Sequence, residues 1–131
     1  ATTGSNTFDG IQVFKGIQEV MFVESNFGGN HSFDFNSGSI FYLSQLSSNG
    51  IWNILNVPTD SGLATTITFV IEQGSTPYSA SAYQINSSNI NVKWADGVIP
   101  SGSSNNSDII GLTAFRNGST WNVLGSLTTF V

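Results

Sequence analysis

Turn signals divide this chain into short segments and leave room for little besides β-strands. They recur at intervals of roughly 8 to 14 residues, which is the spacing of an all-β sandwich or barrel. Gly and Asn supply the positive φ that tight turns need, and Pro fixes φ without donating to a strand ladder. Asn49-Gly50 and Asn117-Gly118 are the dipeptides favoured in two-residue hairpin turns. The sequence therefore predicts a fold of many short strands.

The segments between the turns have the composition and the period of strands. β-branched and aromatic residues dominate them, and apolar residues alternate with polar ones. In the run 66–72, Ile67, Phe69 and Ile71 fall on one face, so we predict that these three side chains point into the core. The other runs are 11–14, 19–24, 39–43, 51–57, 79–85, 90–94, 109–115, 120–124 and 127–131.

In the run 51–57, the same alternation places Ile51, Leu55 and Val57 on one face of a strand that has one buried side. The stretch 14–25 also has apolar residues at helical spacing. Gly16 interrupts it and no capping residue opens it, so we predict strands there as well.

The runs amount to nine or ten strands in 131 residues, a length that fits one domain. We predict an all-β fold, an antiparallel two-sheet β-sandwich of jelly-roll type, in preference to a single barrel. Residues 8–131 form this single domain, and residues 1–7 are predicted to be a flexible N-terminal segment.

Composition excludes several classes of function. Only 8% of residues are charged, against about 25% in an ordinary soluble domain, and the formal net charge is -5. Three Lys and Arg residues are too few for the positive stripe that nucleic acid requires. No apolar run approaches the roughly 20 residues of a membrane span, so no membrane insertion is expected. The absence of cysteine excludes a disulfide framework, a zinc cluster and a thiol nucleophile.

Candidate catalytic groups are sparse. His31 is the only histidine, and a catalytic triad would combine it with Ser32 or a distant serine and with Asp34. A Gly-x-Ser-x-Gly pattern is absent, so a surface histidine beside a glycine turn is the preferred interpretation. The eight acidic residues show no spacing that pairs two of them for glycoside hydrolysis or that matches a calcium loop. We predict no enzymatic activity, no cofactor and no metal site.

The aromatic residues have two interpretations. Trp94 and Trp121 lie beside turns among Asn and Asp residues, where a flat apolar ring and polar partners suit a glycan. The alternative, that the tryptophans seal the core, is preferred. The segment 127–131 ends in two apolar residues, and a free terminal strand of this kind suits coverage by a neighbouring subunit. Trp94, Trp121 and Phe130 are therefore the candidate glycan or subunit contacts.

Three stretches resemble a module of virion structural and tail-fibre-like proteins of tailed bacteriophages, especially those of cyanobacteria and other aquatic bacteria. They are INVKWADGVIP from 90 to 100, DIIGLTAFR from 108 to 116, and WNVLGS from 121 to 126. The shared pattern is a strand ending in Trp94, a polar loop, Asp108 opening an aliphatic strand, and a hairpin containing Trp121. Upstream stretches at 33–39, 56–59 and 66–74 are similar too, so that the resemblance covers residues 10–130.

The resemblance implies a structural module without catalytic residues, located on the virion in a tail fibre, a baseplate appendage or a head-surface fibre. Its expected partners are other virion proteins and further copies of itself, with a trimer favoured and Phe130 at or near a subunit contact. The low charge agrees with permanent contacts, because buried charges cost several kcal/mol unless they are paired. The alternative is a carbohydrate-binding domain that recognises host-surface glycans; a glycan-cleaving enzyme is the third and weakest hypothesis.

Overall fold

The computed structural model describes residues 7–131, so the predicted flexible segment 1–7 lies outside the described residues except for Thr7. This part of the chain contains ten strands, in agreement with the predicted number. They are β1 (Met21–Ser25), β2 (His31–Asp34), β3 (Ile40–Ser44), β4 (Gly50–Leu55), β5 (Ala64–Glu72), β6 (Ala80–Ile85), β7 (Ser88–Ile90), β8 (Val92–Trp94), β9 (Ser107–Asn117) and β10 (Thr120–Phe130). The helical segments within residues 7–131 are two 3-10 turns, Phe35–Ser37 and Ala95–Gly97. No helix of the described part is long and apolar enough to cross a membrane.

The strands form two sheets, which confirms the predicted all-β class. Sheet A has six strands in the order β1-β3-β5-β9-β10-β8, and sheet B has four in the order β2-β4-β6-β7. The two sheets pack face to face, because aromatic rings from both meet in one core. The Phe33 ring of sheet B lies 5.1 Å from that of Phe41 and 5.0 Å from that of Phe69, both in sheet A.

The direction of pairing differs from the prediction. From β1 to β6 the chain alternates between the sheets, so that β1, β3 and β5 pair in parallel in sheet A while β2, β4 and β6 do so in sheet B. Within residues 7–131, five of the eight strand pairings are parallel. The prediction of antiparallel sheets is wrong for those five, and a jelly roll is not confirmed. Parallel strands need a crossover connection, and here a strand of the opposite sheet supplies it.

The two Asn-Gly turns have different outcomes. Asn117 pairs with Thr120, so the predicted two-residue hairpin between β9 and β10 is present, but its loop residues are Gly118, with a φ of 68°, and Ser119, one position later than predicted. Asn49-Gly50 instead leads from β3 in sheet A to β4 in sheet B. Gly50 is buried there against the backbone of Gly29, where a Cβ has no room.

Three predicted strand boundaries are wrong. The run 11–14 is not a strand, and the segment before β1 has no regular secondary structure. The run 90–94 is divided between β7 of sheet B and β8 of sheet A. The runs 120–124 and 127–131 form the single strand β10, which continues through Gly125 and Ser126 without a break.

The core confirms one predicted face and corrects another. Ile67, Phe69 and Ile71 of β5 are fully buried, as predicted. In β4, Trp52 and Ile54 are fully buried, whereas Ile51 and Leu55 are only half-buried on the opposite face. Of the predicted face, Val57, which follows β4, is the residue that is buried. Pairing with β2 and β6 turns the larger Trp52 side toward sheet A, because burying the indole removes more apolar surface from water.

Candidate functional site

Trp94 ends β8 and packs over the edge of the core. Its half-buried ring lies 6.0 Å from the ring of Tyr83. Burial raises the pKa of the Tyr83 hydroxyl above its ordinary value. Gly125 of β10 is the register partner of Trp94. A Cβ at Gly125 would lie 2.8 Å from Trp94 Cζ3 and 2.9 Å from Leu112 Cδ2. Trp94 therefore occupies the space that a side chain at Gly125 would need, as expected of a residue that seals the core.

We expect Gly125→Ala to lower the free energy of unfolding by about 1–3 kcal/mol, because overpacking shifts side chains and backbone. Gly111→Ala is the matched control, since a Cβ there has nothing within 4 Å and Gly111 lies in the neighbouring strand β9. Urea denaturation of both variants measures the difference. Equal midpoints would contradict the close packing of Trp94 against Gly125.

Trp121 lies at the start of β10 and contributes to a groove. Its ring is half-buried, and Arg116 Cζ lies 5.2 Å from the ring centroid, within the range of a cation–π contact. The Arg116 guanidinium is held from a second side, because Nη2 donates to the Ser119 carbonyl oxygen at 2.9 Å. Arg116 Nε is buried and has no hydrogen-bond partner within the described residues.

The groove runs between β7 and the end of the β9–β10 hairpin and has a volume of about 580 Å3. Its lining combines amide and hydroxyl side chains with Lys93, Arg116 and Trp121. Sequence reasoning singled out Trp121 but not the two basic residues. Their rarity could have drawn attention to them, because the whole chain has only three Lys and Arg residues.

Phe130 lies at the end of β10, where its side chain is 53% exposed. The sequence suggested a free terminal strand, and this prediction is wrong. The strand β10 pairs with β9 along its length, up to Phe130 opposite Ser107. On its other side β8 covers only Val123–Gly125, so the edge from Ser126 to Phe130 has no strand beside it in the described part. Phe130 thus combines an exposed ring with an open sheet edge.

An exposed segment rich in apolar residues precedes β1, and we call it the arm (residues 7–20). All of its residues are exposed, including Ile11 at 95% and Val13 at 90%. Among the described residues, one hydrogen bond involves a side chain of the arm. It joins two residues of the arm itself, with Gln12 Nε2 donating to the Asp9 carbonyl oxygen. Its alternating apolar residues led to the predicted strand at 11–14, yet no strand within residues 7–131 pairs with it.

His31 is engaged by a carboxylate and an aromatic ring. Its Nε2 lies 2.8 Å from Glu24 Oε2, and its ring stacks on Phe27 at 4.1 Å. Asp34 serves elsewhere: its carboxylate accepts from Asn56 Nδ2 at 2.8 Å and from the Asn36 backbone N–H at 2.9 Å. These two bonds, the Asn56 bond first, hold the pKa of Asp34 below its ordinary value. Among residues 7–131, no hydrogen bond joins His31 to Ser32 or Asp34, so the contacts of a triad are not formed there.

No group of three or more His, Asp or Glu residues in the described part is placed to hold a metal ion. Comparison of the chain with protein-family models, with curated proteins and with solved structures finds no match. The groove, the arm and the open edge of β10 are thus the features from which a function is inferred.

Proposed function

We propose that this chain is a non-enzymatic structural module of a tailed-phage particle, in a tail fibre, a baseplate appendage or a head-surface fibre. It acts through assembly into a homo-oligomer, with a trimer favoured, and through contacts with other virion proteins. The observation that carries the assembly is the apolar surface of the arm and β1. The virion location is supported by the resemblance of residues 10–130 to phage structural modules.

The size of this surface favours a permanent partner. Nine large apolar residues lie in the arm and β1, each at least 40% exposed: Phe8, Ile11, Val13, Phe14, Ile17, Val20, Met21, Phe22 and Val23. Together they expose on the order of 1,000 Å2, since a large aromatic side chain alone buries 150–250 Å2. A typical specific interface buries about 800 Å2 per partner, and monomeric proteins expose apolar patches of only a few hundred Å2.

A second copy is the partner that fits this surface, because the chain itself offers a complementary apolar face. The outward side of sheet A carries apolar residues on most of its strands, all of them half-buried or exposed: Ile40, Tyr42, Val70, Ile109, Phe115, Leu124 and Phe130. Parallel strands occur mainly where both faces of a sheet are covered. An arm lying on the outer face of sheet A in a neighbouring copy would cover both surfaces at once.

The arm carries three charged residues, Asp9, Lys15 and Glu19, among 14, a higher share than the 8% of the whole chain. Buried charges cost several kcal/mol unless they are paired. An interface on the arm therefore has to leave these three side chains in water or pair them.

The test replaces three arm residues together, Ile11→Ser, Val13→Ser and Phe14→Ser. Each buried apolar side chain contributes about 1.5–3 kcal/mol, so we expect the assembly to weaken by at least about a hundredfold. Sedimentation velocity over a range of protein concentrations measures this shift, and the far-UV circular dichroism of the variant is expected to be unchanged.

The matched control replaces three apolar residues that are exposed in loops, Leu63→Ser, Val98→Ser and Ile99→Ser. It removes a similar amount of apolar surface far along the chain from the arm, and its assembly is expected to equal that of the unmodified chain. An arm variant that assembles as tightly as the loop variant would contradict the role of the arm.

A second function, recognition of host-surface glycans, is favoured by the groove beside Trp121. A half-buried indole beside amide side chains offers the apolar surface and the hydrogen-bonding groups that a sugar needs. The two functions are compatible, because the groove and the arm involve different residues.

A further inference from the structure

We propose that the groove between β7 and the β9–β10 hairpin binds an acidic saccharide, a sugar unit that carries a carboxylate, such as a uronic acid. This inference rests on the second of the two functions, glycan recognition, and names the chemical class of the glycan. Three observations support it: the charge of the groove, the contacts that orient the Arg116 guanidinium, and the polar groups beside Trp121.

The charge of the groove is opposite to that of the chain. The protein has eight acidic residues and a net charge of -5, yet none of the residues that line the groove is Asp or Glu. Two of the three basic residues of the chain, Lys93 and Arg116, line it. Both cations therefore border the groove and no carboxylate does, whereas most of the remaining charge on the protein is negative.

Arg116 is positioned to bind a carboxylate. The Ser119 carbonyl and the Trp121 ring hold the guanidinium, at 2.9 Å from Nη2 and 5.2 Å from Cζ respectively. A guanidinium has five N–H donors, and within the described residues one bond, that to Ser119, uses them. A pre-oriented guanidinium loses little entropy when it forms the paired N–H···O bonds that a carboxylate accepts.

The other lining residues suit a sugar better than a bare anion. Asn89, Asn91 and Asn122 offer amide groups that can both donate to and accept from sugar hydroxyls. The exposed part of the Trp121 ring offers an apolar surface to the C–H face of a sugar ring. The volume of about 580 Å3 lies within the range of small-molecule sites and exceeds what a single small anion would fill.

The experiment titrates the full chain with a trimer of galacturonic acid and with a neutral trisaccharide of galactose, by isothermal titration calorimetry at low and high salt. We expect the acidic trisaccharide to bind at least about tenfold more tightly than the neutral one, because charged hydrogen bonds are the stronger ones. High salt is expected to reduce this preference, since it screens the two cations. Equal binding of both sugars, or no binding of either, would overturn the proposal.

Substitutions then locate the site. Lys93→Gln and Arg116→Gln are each expected to weaken binding of the acidic trisaccharide by about tenfold, which corresponds to the loss of one charge-assisted bond. Lys15→Gln is the matched control, because it removes the third cation of the chain from the arm and leaves the groove intact. Equal weakening by all three variants would show attraction to overall charge and would overturn the proposal.

The Arg116→Gln variant could disturb the β9–β10 hairpin, but Lys93 is exposed, so the Lys93→Gln variant is expected to fold normally and still tests the site. Failure of the assembly proposal is measured separately, by the mass of the particle in solution. If the protein assembles but does not bind the acidic sugar, only the binding proposal is contradicted. If the protein is a monomer that binds the acidic sugar, only the assembly proposal is contradicted.

Discussion

Replacement of Phe69 by alanine is expected to lower the free energy of unfolding by about 3–5 kcal/mol, which is the usual cost of removing a buried phenyl ring. Phe69 is 0% exposed and lies where the two sheets meet. Its ring centroid is 5.0 Å from those of Phe33 and Trp52 and 5.5 Å from that of Phe41. The three surrounding rings, which come from both sheets, cannot close the space without moving strands, so the cavity remains. Urea denaturation at fixed protein concentration measures the loss.

Thr66→Ala is the control for this prediction. Thr66 lies on the same strand, β5, but its side chain is exposed on the outer face. We expect a change of less than about 1 kcal/mol, as for most surface substitutions. A Phe69→Ala variant whose unfolding midpoint matched that of Thr66→Ala would contradict the placement of Phe69 in the core.

Replacement of Asp108 by alanine is expected to lower the free energy of unfolding by about 3 kcal/mol or more. Asp108 is 0% exposed, and its Oδ2 accepts from Gln73 Nε2 at 3.1 Å and from the Ser103 backbone N–H at 3.0 Å. Its Oδ1 accepts from Thr129 Oγ1 at 2.7 Å. Alanine would leave these three donors without their acceptor, and an unsatisfied buried group costs about 1–3 kcal/mol.

The three donors come from three parts of the chain, so this carboxyl ties the loop before β9 to the end of β5 and to β10. Asp60→Ala is the matched control, because Asp60 is exposed in a turn. Thermal unfolding followed by circular dichroism compares the two variants. Similar melting temperatures for both would contradict a structural role for the Asp108 bonds.

Period-two alternation was sufficient to predict most of the strands and the buried face of β5, but it did not indicate how the strands pair. Glycine and asparagine mark where a strand ends, yet they do not specify which sheet the chain enters next. The Asn117-Gly118 turn returns the chain to the neighbouring strand of sheet A, whereas Asn49-Gly50 carries it to sheet B. Parallel pairing depends on these long-range choices, which the local sequence does not encode.

The face of β4 was mispredicted for a related reason. Apolar residues occupy both sides of this strand, with Ile51 and Leu55 on one and Trp52 and Ile54 on the other. Alternation alone cannot choose between two apolar sides. Contact between Trp52 and Phe69 across the sheets, at 5.0 Å, distinguishes them, and it exists only in the folded chain.

The candidate site was predictable only in its aromatic parts. Trp94, Trp121 and Phe130 stood out as large apolar residues beside turns or at the end of the chain. Lys93 and Arg116 line the same groove although β8 and β9 lie on opposite sides of β10, and neither the parallel pairing of β8 nor its place in the sheet was predicted. The arm escaped prediction because an apolar segment suits a strand equally well whether its partner lies in the same chain or in another.

Assembly through the apolar arm requires that the unmodified protein in solution have a mass larger than that of one chain. Sedimentation equilibrium at protein concentrations on the order of tens of micromolar gives that mass independently of shape. We expect a multiple of the 13.9 kDa chain mass, with three chains favoured. A single species at the mass of one chain across this concentration range would contradict it.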